Sequence, residues 1–256
     1  MSLDRNVVTV GLLVLLAGCG GAFGGATPAS EAGTAQASPP GVNETSVEPL
    51  ELANAHGSTL SATTYETNHT TQVLFGNGTV YTELRYAGTV ADTDSYAVGI
   101  ERRGAWTPIG GGPRVAYYAD DGEVRRLAVG WNGTRSVSPA RGSTPSAPRR
   151  FGLGDNDRLY QLLVSADETS VATATETGRS TEIEVTGAQP IAPSYVSDPS
   201  PANATLQVTS EGVVTKLVVR YDATVDGERV QVRTTVSYDA VGEATVDRPD
   251  WVDDEA

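Results

Sequence analysis

The stretch VVTKLVVRYDATVDGERVQVRTTVSY, residues 213–238, alternates apolar and polar side chains with a period of two on both sides of Asp226-Gly227. On the first arm Val213, Leu217, Val219, Tyr221, Ala223 and Val225 share one face, and Lys216, Arg220 and Asp222 take the other. On the second arm Val230, Val232, Val236 and Tyr238 face inward, and Arg229, Gln231 and Arg233 face water. A helix cannot sort side chains at this period; a strand does so automatically. Asp-Gly between two such runs is a tight-hairpin signal, since both central residues of that turn need a positive φ. Two long strands with one dry and one wet face predict a large antiparallel sheet whose dry face something must cover.

The same period recurs upstream. In TVYTELRYA, Val80, Thr82, Leu84 and Tyr86 point one way, with Tyr81, Glu83 and Arg85 opposite. Tyr96, Val98 and Ile100 repeat it, and VAYYADDGEVRRLAVGW reads as two short strands around Asp120-Asp121-Gly122. Cover for the sheet is expected from two helices. In PLELANAHGSTLSATTY, Leu52, Ala55, His56, Thr59 and Leu60 fall near one helical face after Pro49, which suits a first turn; this predicts a helix over roughly 49–62. Gly57 inside it costs about 1 kcal/mol relative to Ala. In NDRLYQLLVSADE, Leu159, Leu162, Leu163 and Ala166 make an amphipathic stripe, with Asp155 or Asn156 placed to cap. Two long pattern-poor loops remain, residues 138–154 and 187–204. Loops of that length are commonly functional or disordered. The fold class expected is therefore α+β, mostly β, with a helical cover on the apolar face.

The amino end has a different character. Residues 7–17 are an apolar run too short for a bilayer span, which takes about 20 residues, and it fits an export signal. Leu16-Ala17-Gly18 leads into Cys19, the only cysteine, and resembles the lipobox of prokaryotic lipoproteins. That resemblance implies cleavage before Cys19, a lipid on its sulfur and attachment to the outer face of the cytoplasmic membrane. The alternative is a cysteine ending an uncleaved anchor; the rest of the chain is exported either way. Durable anchoring takes two chains, as the resemblance implies. Residues 1–18 are thus read as signal peptide, 19–48 as a Gly/Ala/Ser/Thr/Pro tether too poor in large apolar groups to fold, and 49–252 as one domain. With Cys19 lipidated, no internal disulfide is available.

Thirty-two acidic residues against 18 basic give a net charge of −14, and Lys216 is the sole lysine. No basic patch offers itself to nucleic acid. The acidity fits a surface adapted to high salt, where screening relieves self-repulsion.

Five of the eight asparagines stand in N-x-T: Asn43, Asn68, Asn77, Asn132 and Asn203. The excess makes them N-glycosylation candidates, although Asn77-Gly78 and Asn132-Gly133 are turn signals too. The two histidines, His56 and His69, are expected to pack at a helix–sheet boundary and on a strand; they are too few for a three-histidine zinc site. No G-x-S-x-G elbow is present, Asp120-Asp121 reads as a turn, and the Asp155-Asn156-Asp157 frame meets Ala166 where a calcium loop needs Glu. No catalytic residue, metal or cofactor is implied. Trp106, with Pro108 and Gly110-Gly111-Gly112 after it, is a candidate for a pocket mouth.

The order of lipobox, tether, helix, strands, middle helix, strands and long closing hairpin resembles the half-barrel lipoproteins related to the lipoprotein carrier LolA and the mycobacterial LppX and LprG proteins. It is similar to a group of haloarchaeal lipoproteins of unknown function, through Ala55-His56 in the first helix and the ending Gly242 to Trp251. The resemblance covers roughly 47–252. It implies a curved antiparallel half-barrel whose concave apolar face, partly covered by two or more helices, holds lipid tails. The apolar-face or pocket residues are then Leu159, Leu162, Leu163, Leu217, Val219, Tyr221, Val230, Val232 and Trp106. A lipid or other apolar ligand and the membrane are the expected partners. The alternative is a structural or interaction protein of the envelope with a filled core and no ligand.

Changing Cys19→Ser is expected to stop lipidation. In the native host, detergent phase partitioning should find wild-type protein in the detergent phase and the variant in the aqueous phase or as uncleaved precursor. Equal partitioning with cleavage intact would contradict the lipobox reading.

Overall fold

The period-two stretches pair as strands of one sheet. The computed structural model describes residues 38–92, 94–105, 112–140, 156–172 and 180–254. Cys19, the signal segment, tether residues 19–37, Trp106 and Asp155 lie outside the described residues. Helix α1 (Pro49–Ser61) precedes β1 (Tyr65–Phe75), β2 (Val80–Val90), β3 (Tyr96–Gly104), β4 (Arg114–Asp120), β5 (Glu123–Val129) and β6 (Arg135–Pro139). Helix α2 (Asn156–Val164) follows, then β7 (Glu168–Ala172), β8 (Ser180–Ala188), β9 (Ala202–Thr209), β10 (Val214–Val225) and β11 (Glu228–Asp239). A 3₁₀ turn spans Asp250–Asp253.

All eleven strands form one curved, unclosed antiparallel sheet in the order β6-β5-β4-β3-β2-β1-β11-β10-β9-β8-β7. It consists of two meanders, β1–β6 and β7–β11, stitched at the centre by β1 against β11. The chain must therefore travel from one edge of the sheet to the other between β6 and β7, and α2 lies on that journey. The Asp226-Gly227 hairpin has φ of 51° and 84°, the two positive values that its sequence signal demanded.

Both helices pack on the same sheet face. Leu52 and Ala53 of α1 and Leu159, Leu162 and Leu163 of α2 join Ile183, Val185, Leu206 and Val208 in one buried cluster. Farther along α1, Leu60 packs with Tyr65, Tyr96, Val98 and Tyr238. A third cluster, Val73, Tyr221, Val225, Val230 and Val232, fills the hairpin end. Fully burying each such side chain contributes about 1.5–3 kcal/mol. The last residues of the expected tether are also packed: Val42 is buried and bridges Val47 just ahead of α1.

Two expectations need correction. Val80 shares parity with Thr82 and Leu84, but it sits beside a register shift at Val73/Leu74 and is exposed. The far side of the sheet is not uniformly wet either. Ala116, Leu127 and Val137 are register neighbours that form a small apolar patch, with Trp251 of the 3₁₀ turn packed against it. Arg248 holds that tail in shape through a two-point contact with Asp253, at 2.6 and 3.4 Å, and lies over the Tyr118 ring.

Gly57 acquires a reason. A Cβ there would lie 2.9 Å from the Asn156 Cβ, so α1 and α2 approach each other across a glycine. Gly57→Ala is therefore expected to destabilise the fold by about 1–2 kcal/mol, overpacking outweighing the gain in helix propensity. Thermal unfolding should show a lowered midpoint; a raised one would mean that the helices have room between them.

Candidate functional site

A cavity of about 450 Å³ lies between the shared sheet face and the helices. Its floor follows from strand register. One row across the sheet runs Ile100, Tyr86, His69, Val236, Leu217; the next runs Arg102, Leu84, Thr71, Thr234, Val219. Except for Ile100, these side chains line the cavity. Its roof comes from His56 of α1 and from Arg158, Leu159 and Leu162 of α2. A side wall is the segment 189–195, which carries Pro190, Ile191, Pro193 and Tyr195. This wall belongs to one of the two pattern-poor loops.

Of the residues expected on the apolar face, Leu159, Leu162, Leu217, Val219 and Tyr221 line the cavity. Leu163 lies in the helix–sheet core, and Val230 and Val232 in the hairpin-end core, all outside the lining. Among the sequons, Asn43, Asn77, Asn132 and Asn203 are exposed; Asn68 is half-buried in the central strand β1. The turn chemistry of Asn77 and Asn132 is present as well, since each side-chain oxygen accepts a hydrogen bond from the backbone N–H two residues on, at 2.9 and 3.1 Å.

Both histidines sit at the cavity. His56 is 3% exposed; its Nδ1 accepts the Val214 backbone N–H at 3.2 Å, and its ring stands edge-on to Tyr238. The bond fixes the tautomer: Nδ1 is bare and the ring proton sits on Nε2. His69 lies on β1 with Nε2 3.3 Å from the Thr71 hydroxyl, itself 3.1 Å from that of Thr234. Among the described residues, the buried His69 Nδ1, Arg102 Nε and Tyr221 hydroxyl find no hydrogen-bond partner. Leaving such groups unsatisfied costs about 1–3 kcal/mol each.

Burial lowers the pKa of His56 to about 4. Burial also lowers that of His69 to about 4, helped by the positive charge of Arg158. Burial raises the Tyr86 hydroxyl, against the pull of Arg102 and Arg158. An imidazole kept neutral in the fold and charged in the unfolded chain makes folding weaken as pH falls from about 6.5 towards 4. Each histidine contributes about 3 kcal/mol to that loss.

His56, His69, Tyr86, Arg102 and the 189–195 wall were not identifiable as one site from sequence. The signal that pointed towards them was weak: an unpatterned loop and two histidines at odd spacing. Among the described residues no group of His, Cys, Asp and Glu is placed to hold a metal ion.

No family model matches the chain, and no curated protein matches it. Three solved structures illustrate what it is similar to. One is a DUF1329 family protein from Desulfovibrio piger, 10% identical, TM-score 0.28, covering 80% of this chain and 95% of that one. Another is the domain of a putative outer membrane lipoprotein-sorting protein from Vibrio parahaemolyticus, 7% identical, TM-score 0.27, covering 80% and 95%. The third is a LolA superfamily protein from Nitrosomonas europaea, 11% identical, TM-score 0.26, covering 82% and 99%. At these TM-scores the likenesses assign neither ligand nor activity.

Both imidazoles are expected to stay neutral well below the ordinary histidine range. In mature protein without a histidine tag, the two ring Cε1–H signals should hold their NMR positions from pH 7 to about 5.5, where an ordinary histidine is mostly charged. A titration centred near 6.5 for either ring would contradict the buried site.

Proposed function

We propose that this protein is a lipid-anchored extracytoplasmic binding protein that holds a lipid or other apolar molecule between its sheet and its two helices. The cavity is the observation that carries the reading. A volume of about 450 Å³ falls in the roughly 300–1,000 Å³ range of small-molecule sites, and Leu159, Leu162, Leu217 and Val219 give it apolar walls. The lipobox and the half-barrel layout support the same reading, with the helices over a concave face, Cys19 as the membrane attachment and the domain on the outer surface. The role proposed is one of binding: the polar groups of the lining, imidazoles, hydroxyls, guanidinium groups and the Glu83 carboxylate, are few beside its apolar walls.

Native protein extracted with organic solvent is expected to release an apolar molecule detectable by mass analysis. Leu217→Trp, which fills the cavity from its floor, should weaken binding of a fluorescent fatty-acyl probe about tenfold or more, or by about 1.4 kcal/mol, with circular dichroism unchanged. An unaltered affinity would place the probe elsewhere and remove the cavity from the proposal.

A further inference from the structure

The cavity is divided in polarity. Leu159, Leu162, Leu217 and Val219 make one side apolar. On the β1–β3 side the lining carries Arg102, Tyr86, His69 and Thr71. Two guanidinium groups line the cavity, those of Arg102 and of Arg158 on α2, and that of Arg102 stands out. Among the described residues its buried Nε has no hydrogen-bond partner, and its Nη1 reaches the Gly112 carbonyl at 3.4 Å. No ion pair to Arg102 exists among the described residues, although the chain has 32 acidic residues. The acidic lining residue Glu83 does not serve it. Gln72 and Glu83 are register partners of opposite parity to Thr71 and Leu84, and the Glu83 carboxylate accepts the Gln72 amide at 2.6 Å. Arg102 is half-buried, and a buried guanidinium N–H left unsatisfied is costly; the Nδ1 of His69, two strands away in the adjacent row, adds a second unsatisfied polar atom on this side.

Resting on the apolar-ligand reading above, we propose that the site selects amphiphiles with an oxyanion head group, bound by Arg102, and a single hydrocarbon tail lying against Leu159, Leu162, Leu217 and Val219. The oxyanion is a carboxylate or a phosphate monoester, both of which match the planar fork of a guanidinium. The head supplies the missing acceptor for the guanidinium, while the tail occupies the volume that side chains leave open. The cavity volume of about 450 Å³ suits one chain.

The experiment displaces a fluorescent fatty-acyl probe from delipidated protein with four ligands of equal chain length: hexadecanoate, hexadecyl phosphate, hexadecanol and hexadecyltrimethylammonium. Hexadecanoate, hexadecyl phosphate or both should bind more tightly than the alcohol, and the ammonium compound least tightly; which acid leads identifies the head group. Arg102→Gln should cost the preferred acid about 10- to 100-fold and leave hexadecanol within about twofold. Equal binding of acids and alcohol, or an acid preference that survives Arg102→Gln, overturns the head-group assignment and leaves the apolar-ligand reading standing. Failure of all four, and of the probe, overturns both. Should Arg102→Gln fail to fold, hexadecanoate labelled with ¹³C at its carboxyl decides on wild-type protein. A bound carboxyl pKa below that of the free acid supports the guanidinium contact, and a raised one refutes it.

Discussion

Everything in this fold hangs on the ladder between β1 and β11. It runs in unbroken register from Glu66↔Asp239 to Phe75↔Val230 and joins two meanders that, among the described residues, share no other strand pairing. It also assembles the site. His69 and Thr71 come from one meander, Thr234 and Val236 from the other, and the Thr71–Thr234 hydroxyl contact crosses the seam. Side-chain parity makes this unforgiving, because a slip of one residue would send His69 and Thr71 to the opposite face.

The helices add packed contacts at both ends of this face. At one end Leu52, Ala53 and Leu163 press into the β8–β10 side of the sheet, and at the other Leu60 packs beside Tyr65 and Tyr96. Between these anchor points the roof is His56, Arg158, Leu159 and Leu162, and the space beneath stays open. Close contact at Gly57 pins α1 to α2, so the roof is a pair rather than two independent lids.

Much of the architecture was legible because it is local. The closing hairpin declared itself through alternation and Asp226-Gly227, and α1 and α2 through their apolar spacing. The site was not legible, for three physical reasons. β1 reads YETNHTTQVLF, and its inward face is Tyr65, Thr67, His69, Thr71 and Val73, too polar to look like the centre of a sheet. Pairing of β1 with β11 depends on residues far apart in sequence, which no window can register. An open volume is a property of how elements stand apart and not of any residue type, so apolar content alone does not reveal it. The tail that ends at Trp251 was noticed as a motif; its place against Ala116, Leu127 and Val137 depends on a patch assembled from three strands.

The strand order has a bearing on how such a chain is made. Of the described strands, the one latest in sequence belongs in the middle, so the sheet is closed at its centre only after both flanks have been made. Until β11 arrives, β1 presents a bare row of amide and carbonyl groups, the kind of edge that recruits foreign strands. A nascent or shortened chain that ends before residue 228 would have two sticky halves and no keystone. Loss of a short carboxy-terminal piece would therefore be a defect of the whole molecule, whereas trimming β6 or β7 would only fray a margin.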